Sequence, residues 1–155
     1  MTGTVERPIR VLFVCTHNSA RSIMAEAVLR REGGGAFEPY SAGTEATGVN
    51  PLTMQALEEA GIDAPGARSK SVTEFYGQSF DYVITVCDRA RESCPVFPGA
   101  NQSLHWGFDD PSEATGTDDE RMKTFRRVLT EVTGRVKTFA LLAGKEQPAQ
   151  PAPLG

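Results

Sequence analysis

Cys15, Arg21 and Ser22 form a Cys-x5-Arg-Ser run, and it follows a short apolar stretch, Val11-Leu12-Phe13-Val14. These residue types at this spacing suit nucleophilic chemistry on an oxyanion. A thiol attacks as its thiolate, a form favoured beside a helix N-terminus and a cation. If the apolar run is a strand and a helix begins near Arg21, Cys15 lies just ahead of that helix. There the open N–H groups and the helix dipole favour negative charge. The backbone N–H groups of Thr16, His17, Asn18, Ser19, Ala20 and Arg21 can wrap a tetrahedral oxyanion. Arg21 adds a planar fork of donors, Asn18 can brace the loop, and the Ser22 hydroxyl can donate to the sulfur. The plain alternative is a core cysteine with an arginine nearby by chance, because the pattern alone is short.

Two further cysteines extend this chemistry. Cys87 closes a second β-branched and aromatic run, Tyr82-Val83-Ile84-Thr85-Val86, and Cys94 follows seven residues later, just before Pro95. If the strands ending in Cys15 and Cys87 are neighbours, their ends lie about 5 Å apart, inside the roughly 4.4–6.8 Å that a disulfide tolerates. A helical segment between Cys87 and Cys94 would separate them by about 10.5 Å, so bonding them requires that segment to unwind. Packing in the core for Cys87 and a surface loop for Cys94 are the plain alternatives. Three cysteines permit one intramolecular disulfide at a time and leave one thiol over, which suits thiol exchange. Asp109-Asp110-Pro111 contributes carboxyl groups. A carboxylic acid there could protonate a departing oxygen, although Asp-Pro is also an ordinary turn.

The elements that must position these residues are legible in outline. Residues 9–14 read as a buried parallel strand, being short and continuously apolar. Residues 21–32 read as a helix with Ile23, Met24, Ala27 and Val28 on one face, stopped by Gly33-Gly34-Gly35. A second strand is predicted over 37–41. Asn50-Pro51 reads as an N-cap with proline at the first helical position, and Gly61 ends that helix. A short helix is expected within 68–76, a strong strand over 80–86, and a weaker one ending over 104–108. Thr117 and Glu120 form a capping-box pattern. The helix they open, to residue 143, carries Met122, Phe125, Leu129, Val132, Val136 and Phe139 as a single buried stripe. The predicted domain is residues 9–143, with a flexible lead-in over 1–8 and a disordered Pro/Ala/Gln-rich tail over 144–155. Strands alternating with helices imply an α/β, three-layer fold around a parallel sheet, with ligands at the carboxyl ends of the strands.

Composition narrows the function. The chain has 155 residues, enough for one domain with a real core. A net charge of −4 argues against a general nucleic-acid or anionic-membrane binder, so any anion site must be local. The first ten residues lack a signal-peptide core and no run approaches a membrane span, so a cytoplasmic location is expected. No Cys/His cluster suggests zinc, and no dinucleotide fingerprint appears.

The stretch Val11 to Glu26, the Cys87 to Cys94-Pro95 run, His105-Trp106-Gly107-Phe108 and Asp110-Pro111 resemble the low-molecular-weight protein tyrosine phosphatase superfamily. Within it they resemble most the thioredoxin-coupled arsenate reductases. The similarity covers nearly the whole chain. It implies a phosphotyrosine phosphatase I-like fold, with a four-stranded parallel sheet in the order 2-1-3-4. It implies arsenate as substrate in arsenic detoxification, and Cys15, Cys87 and Cys94 as nucleophile and two relay thiols. It also implies Arg21 as oxyanion ligand and Asp110 as general acid, with Asp109, Trp106, Phe108 and His105 structural. No bound cofactor is implied. The reductant is an external dithiol, thioredoxin first, with glutaredoxin or a small thiol as alternatives, and the chain is expected to be a monomer. Two departures separate it from the phosphatases. Ala20 stands where they usually carry a second cysteine, and Ser112 where they often place a tyrosine. A tyrosine phosphatase and a non-catalytic oxyanion or redox sensor are the alternatives.

Overall fold

The computed structural model describes residues 4–87, 100–145 and 149–151. Its centre is an all-parallel sheet of β2 (Ile9–Cys15), β3 (Phe37–Gly43), β4 (Tyr82–Thr85) and β5 (Gln102–His105), ordered β3-β2-β4-β5. Counting only these four strands, the order is 2-1-3-4, as the resemblance implies. β2 lies inside the sheet, and Val11, Leu12, Phe13 and Val14 are fully buried. Burial on both faces is why that run is continuously apolar rather than alternating.

Helices α1 (Arg21–Gly33) and α3 (Asp118–Gly144) pack together on one face, and α2 (Pro51–Glu59) packs against α3. The stripe of α3 is buried along its length, from Met122 through Val136 to Phe139. Phe139 meets the rings of Phe37, Tyr82 and Trp106. Against the other face, Tyr40 and Phe80 form edge-to-face contacts with Phe75, from the 3-10 turn Val72–Phe75. The caps match their sequence signals. The Asn50 side chain accepts from the Leu52 N–H, with Pro51 opening α2, and Thr117 and Glu120 complete a reciprocal capping box.

Two elements differ from the sequence expectation. The fourth strand starts at Gln102, ahead of Leu104, because its first half is an exposed sheet edge and carries no apolar signal. Its register nonetheless runs past His105, since Trp106 and Phe108 donate backbone bonds to Thr85 and Val86. The sequence also gives no hint of a second, antiparallel ladder that pairs β1 (Thr4–Glu6) with β6 (Ala149–Pro151).

Asp81, at the entrance to β4, ties the bottom of the sheet together. Its carboxylate accepts both Arg7 guanidinium nitrogens at 2.7 Å, the Arg10 N–H at 2.9 Å and the Asn101 amide at 3.1 Å. The Arg7 hydrogen bond holds the Asp81 carboxyl below the usual carboxylate range, with burial opposing it. Asp81→Ala is expected to cost about 2–4 kcal/mol, read as a lower urea midpoint at unchanged slope. A carboxyl depressed in the folded state stabilises fully above its unfolded pKa of about 4 and loses that contribution as pH falls through the folded value. The gap between wild type and variant should therefore be constant at neutral pH and close only in acid, below about pH 4.

Candidate active site

The site forms where β2 stops. Cys15 is its last residue and is buried. The chain then curls through residues 16–20 before α1 starts at Arg21, and the N-cap residue, Ala20, has no side chain able to bond the first helical turn. The open N–H groups of that turn face the loop.

Four of the carbonyls around the loop are engaged from outside. Cys15 O accepts from the Thr44 N–H, Thr16 O from Glu45, His17 O from Thr47 and from the Ser69 hydroxyl. Ser19 O accepts from the Asn50 N–H and the Thr53 hydroxyl. In a trans peptide the carbonyl and the following N–H point in opposite directions. Four outward carbonyls therefore turn the N–H groups of Thr16, His17, Asn18 and Ala20 inward. One of these directions is visible directly, because the Asn18 N–H donates to Cys15 Sγ at 3.1 Å. The loop is thus a ring of inward donors with a sulfur at its floor, an arrangement suited to an oxyanion held over a nucleophile.

Asn18 and Ser22 organise the sulfur. Asn18 adopts φ 48°, and it is the lone described non-glycine residue with positive φ, a conformation asparagine tolerates better than most. Its Oδ1 accepts from the Lys70 N–H at 2.7 Å, which fixes its Nδ2 as the donor to Ser22 Oγ at 2.7 Å. With Ser22 Oγ accepting there, its own proton is available to Cys15 Sγ, 2.8 Å away.

Gly43, at the end of β3, lets the loop sit this close to the sheet. A Cβ on it would lie 2.7 Å from Thr16 O and 2.8 Å from Asn18 N, both backbone atoms that cannot swing aside. A strand-end glycine marks such a close approach. Gly43→Ala should push the loop outward by a fraction of an ångström, lower turnover roughly 10- to 100-fold and cost about 1–3 kcal/mol of stability through overpacking. Steady-state kinetics beside a thermal melt checks this.

Arg21 and Asp110 meet above the loop. Arg21 is largely buried; its Nη2 is 3.4 Å from Asp110 Oδ2, and Nη1 donates to Phe108 O at 3.1 Å. Asp110 also accepts the Ser112 N–H at 3.0 Å, capping the 3-10 turn Pro111–Glu113. Asp109 turns the other way and pairs with Arg127 of α3 in solvent. Of the two adjacent carboxylates, Asp110 is the one in the site.

The strand register sets the distance between the thiols. Val14 pairs with Thr85, and the Val86 N–H donates to Val14 O, so Cys87 comes level with Thr16, one residue beyond Cys15. Cys87 Sγ lies 3.3 Å from Thr16 Oγ1. Cys15 and Cys87 are both buried thiols on one sheet edge. His17 and Ser19 are half-buried in the loop, and His105 Nδ1 bonds Thr85 Oγ1 at 2.8 Å, within the sheet. Cys94 lies outside the described residues. Gly43, Thr53, Ser69 and Lys70 hold the loop from other elements, a role that sequence reading did not assign to them. Only Gly43, glycine at the end of a predicted strand, carried a usable signal.

A cysteine and an arginine flanking an anion loop at the carboxyl edge of a parallel sheet define a class of oxyanion-binding phosphatase-like proteins. The chain belongs to the low molecular weight phosphotyrosine protein phosphatase family, whose profile matches residues 10–149. It is 45% identical over 130 residues to the arsenate reductase of Halalkalibacterium halodurans, covering 84% of this chain and 94% of that one. A solved arsenate reductase in a phosphate-binding state superposes with a TM-score of 0.71 at 30% identity, covering 86% and 98%. The thioredoxin-dependent arsenate reductase of Corynebacterium glutamicum superposes with a TM-score of 0.71 at 30% identity, over 92% of this chain and 66% of that one. Among the described residues no helix is long and apolar enough to cross a membrane.

Proposed function

We propose that this protein is an arsenate reductase that turns over by thiol–disulfide relay with a thioredoxin-class dithiol. The observation that carries this reading is the second buried thiol. Cys87 reaches the loop through Thr16 at 3.3 Å, and hydrolysis of a phosphate ester has no use for it. Relatives named arsenate reductases support the substrate, and the thioredoxin-dependent relative supports the reductant.

Arsenate sits in the ring of N–H donors, with Arg21 closing on its oxygens. The Cys15 thiolate attacks arsenic while Asp110 delivers a proton to the departing oxygen, which leaves as water. The Cys87 thiolate then attacks Cys15 sulfur. The sulfur–arsenic bond breaks with its electron pair staying on arsenic, so As(V) becomes As(III) and a Cys15–Cys87 disulfide remains. Cys94 attacks Cys87, releases Cys15 and carries the oxidation as Cys87–Cys94 to the external dithiol, which is oxidised in its turn. The protein needs no bound cofactor in this scheme, acts as a monomer, and works in a reducing compartment such as the cytoplasm.

Reduced protein mixed with arsenate and no other reductant tests the scheme. One arsenite per chain should form as titratable thiols fall from three to one. Arsenite formation without thiol loss, or thiol loss without arsenite, contradicts it. The family's phosphatase members make hydrolysis the second reading, because Cys15, Arg21 and Asp110 suit a phosphoryl group equally. A phosphatase would release phosphate from an aryl ester and keep all three thiols.

A further inference from the structure

The carboxyl proposed to deliver the proton has a support that the reaction scheme does not use. Asp110 turns its two oxygens to different partners. Oδ2 faces Arg21 at 3.4 Å, longer than the roughly 2.7–2.9 Å of a close charged hydrogen bond, so that pair places the carboxyl loosely. Oδ1 accepts the Ser112 N–H at 3.0 Å, within its own 3-10 turn. This bond fixes the carboxyl to the turn, and the place of the turn over the loop then decides where the proton sits. Pro111 is buried and holds one side of the turn. The Ser112 side chain holds the other.

Asn50 reaches across from α2 to that side chain. Its Oδ1 accepts from the Leu52 N–H at 2.9 Å, as the N-cap of α2, and this fixes Nδ2 as a donor. Nδ2 donates to Ser112 Oγ at 3.4 Å. The Asn50 N–H donates to Ser19 O at 3.0 Å, and the Thr53 hydroxyl donates to the same carbonyl at 2.8 Å. The first turn of α2 therefore rides on the Cys15 loop. A closed circuit results, running from Ser19 through Asn50, Ser112, Asp110 and Arg21 back to the loop. We propose that Ser112 is a positioning residue for the Asp110 carboxyl, with Asn50 as its anchor. The bond between them carries the position of the loop to the turn that bears the acid, so the carboxyl keeps its place above the sulfur. Without the Ser112 hydroxyl the Asn50 amide loses this acceptor, and the turn rests on Pro111 and Arg21. The proposal rests on Asp110 being the general acid, but not on arsenate being the substrate.

Reduced full-length protein is mixed with saturating arsenate and no other reductant. The rate of arsenite formation in that single turnover is set beside the affinity for inorganic phosphate, by calorimetry. Asp110→Asn should slow the turnover about 100-fold. Ser112→Ala should slow it about five- to tenfold with phosphate affinity held within about twofold, and Ser112→Thr, which keeps the hydroxyl, should recover most of the loss. Asn50→Ser keeps an N-cap oxygen but ends short of Ser112. It should match Ser112→Ala, and the two together should be no slower than either. Ser112→Ala added to Asp110→Asn should change nothing further, a result that a merely structural role would not give. Ser112→Ala at the wild-type rate beside a slow Asp110→Asn would overturn the proposal alone. So would equal slowing with and without the Asp110 carboxyl, or a parallel loss of phosphate affinity. Asp110→Asn at the wild-type rate would remove the acid itself, and the proposal with it. If Ser112→Ala does not fold, Asn50→Ser decides by the same readouts. If the wild type forms no arsenite, the proposed function fails and the comparison moves to aryl phosphate hydrolysis. There the loss in Ser112→Ala should grow as the leaving phenol becomes less acidic, and a loss indifferent to the phenol would overturn the proposal.

Discussion

Cys15→Ser protein should reduce no measurable arsenate, a loss of at least about a thousandfold, because removing a nucleophile removes the covalent route altogether. The hydroxyl fits the space of the thiol, and Ser22 and the Asn18 N–H can still bond it. The fold should therefore survive, and inorganic phosphate should still bind the loop. An alkoxide is far less accessible than a thiolate at neutral pH, and oxygen cannot form the disulfide on which the electrons leave. The comparison that matters is phosphate binding, by calorimetry, against turnover. Binding retained with turnover lost makes Cys15 the nucleophile. Turnover retained would assign the chemistry to another group, and binding lost would mean only that the loop had collapsed.

Cys87 and Cys94 should separate by the number of turnovers each permits. Cys87→Ser should stop before arsenite forms, since Cys87 is the thiol that takes over the bond in this relay. Cys94→Ala should complete one turnover, accumulate a Cys15–Cys87 disulfide and then stop, lowering steady-state turnover with thioredoxin at least about a hundredfold. Quenched samples digested without reduction would show the cross-linked peptide pair directly. Geometry sets the order. Cys87 lies level with Thr16 on the strand beside β2, while Cys94 is seven residues further along the chain, too distant to meet Cys87 if that segment stays helical. If Cys94→Ala cycles at the wild-type rate, the relay is wrong, or the external dithiol resolves the first disulfide itself.

The parts of the site legible in the sequence are those written within one element and its turn. Cys15 through Ser22 announce themselves because a buried strand, a donor-rich turn and a helix start follow one another without interruption. The capping box at Thr117 and the stripe of α3 are equally local. The backbone grip of Lys70 on Asn18 and the tie made by Asp81 were not legible, because each acts through partners far along the chain. Lys70 meets Asn18 across 52 positions, and Asp81 meets Arg7 across 74. No spacing rule marks such a pair. The exposed half of β5 and the β1–β6 ladder escaped for a related reason, since edge and terminal strands need no apolar pattern to pair. The offset of Cys87 from Cys15 came from register, which position at a strand end could not supply by itself.

The most direct measurement is thioredoxin-coupled turnover. Purified protein, thioredoxin and thioredoxin reductase are mixed with NADPH, with and without arsenate, and aryl phosphate hydrolysis is followed in parallel. A relay through Cys15, Cys87 and Cys94 predicts NADPH consumption that requires arsenate, continues through many turnovers and yields one arsenite per NADPH, with hydrolysis slow beside it. Efficient aryl phosphate hydrolysis with no arsenate-dependent NADPH consumption would contradict it and make the site that of a phosphatase.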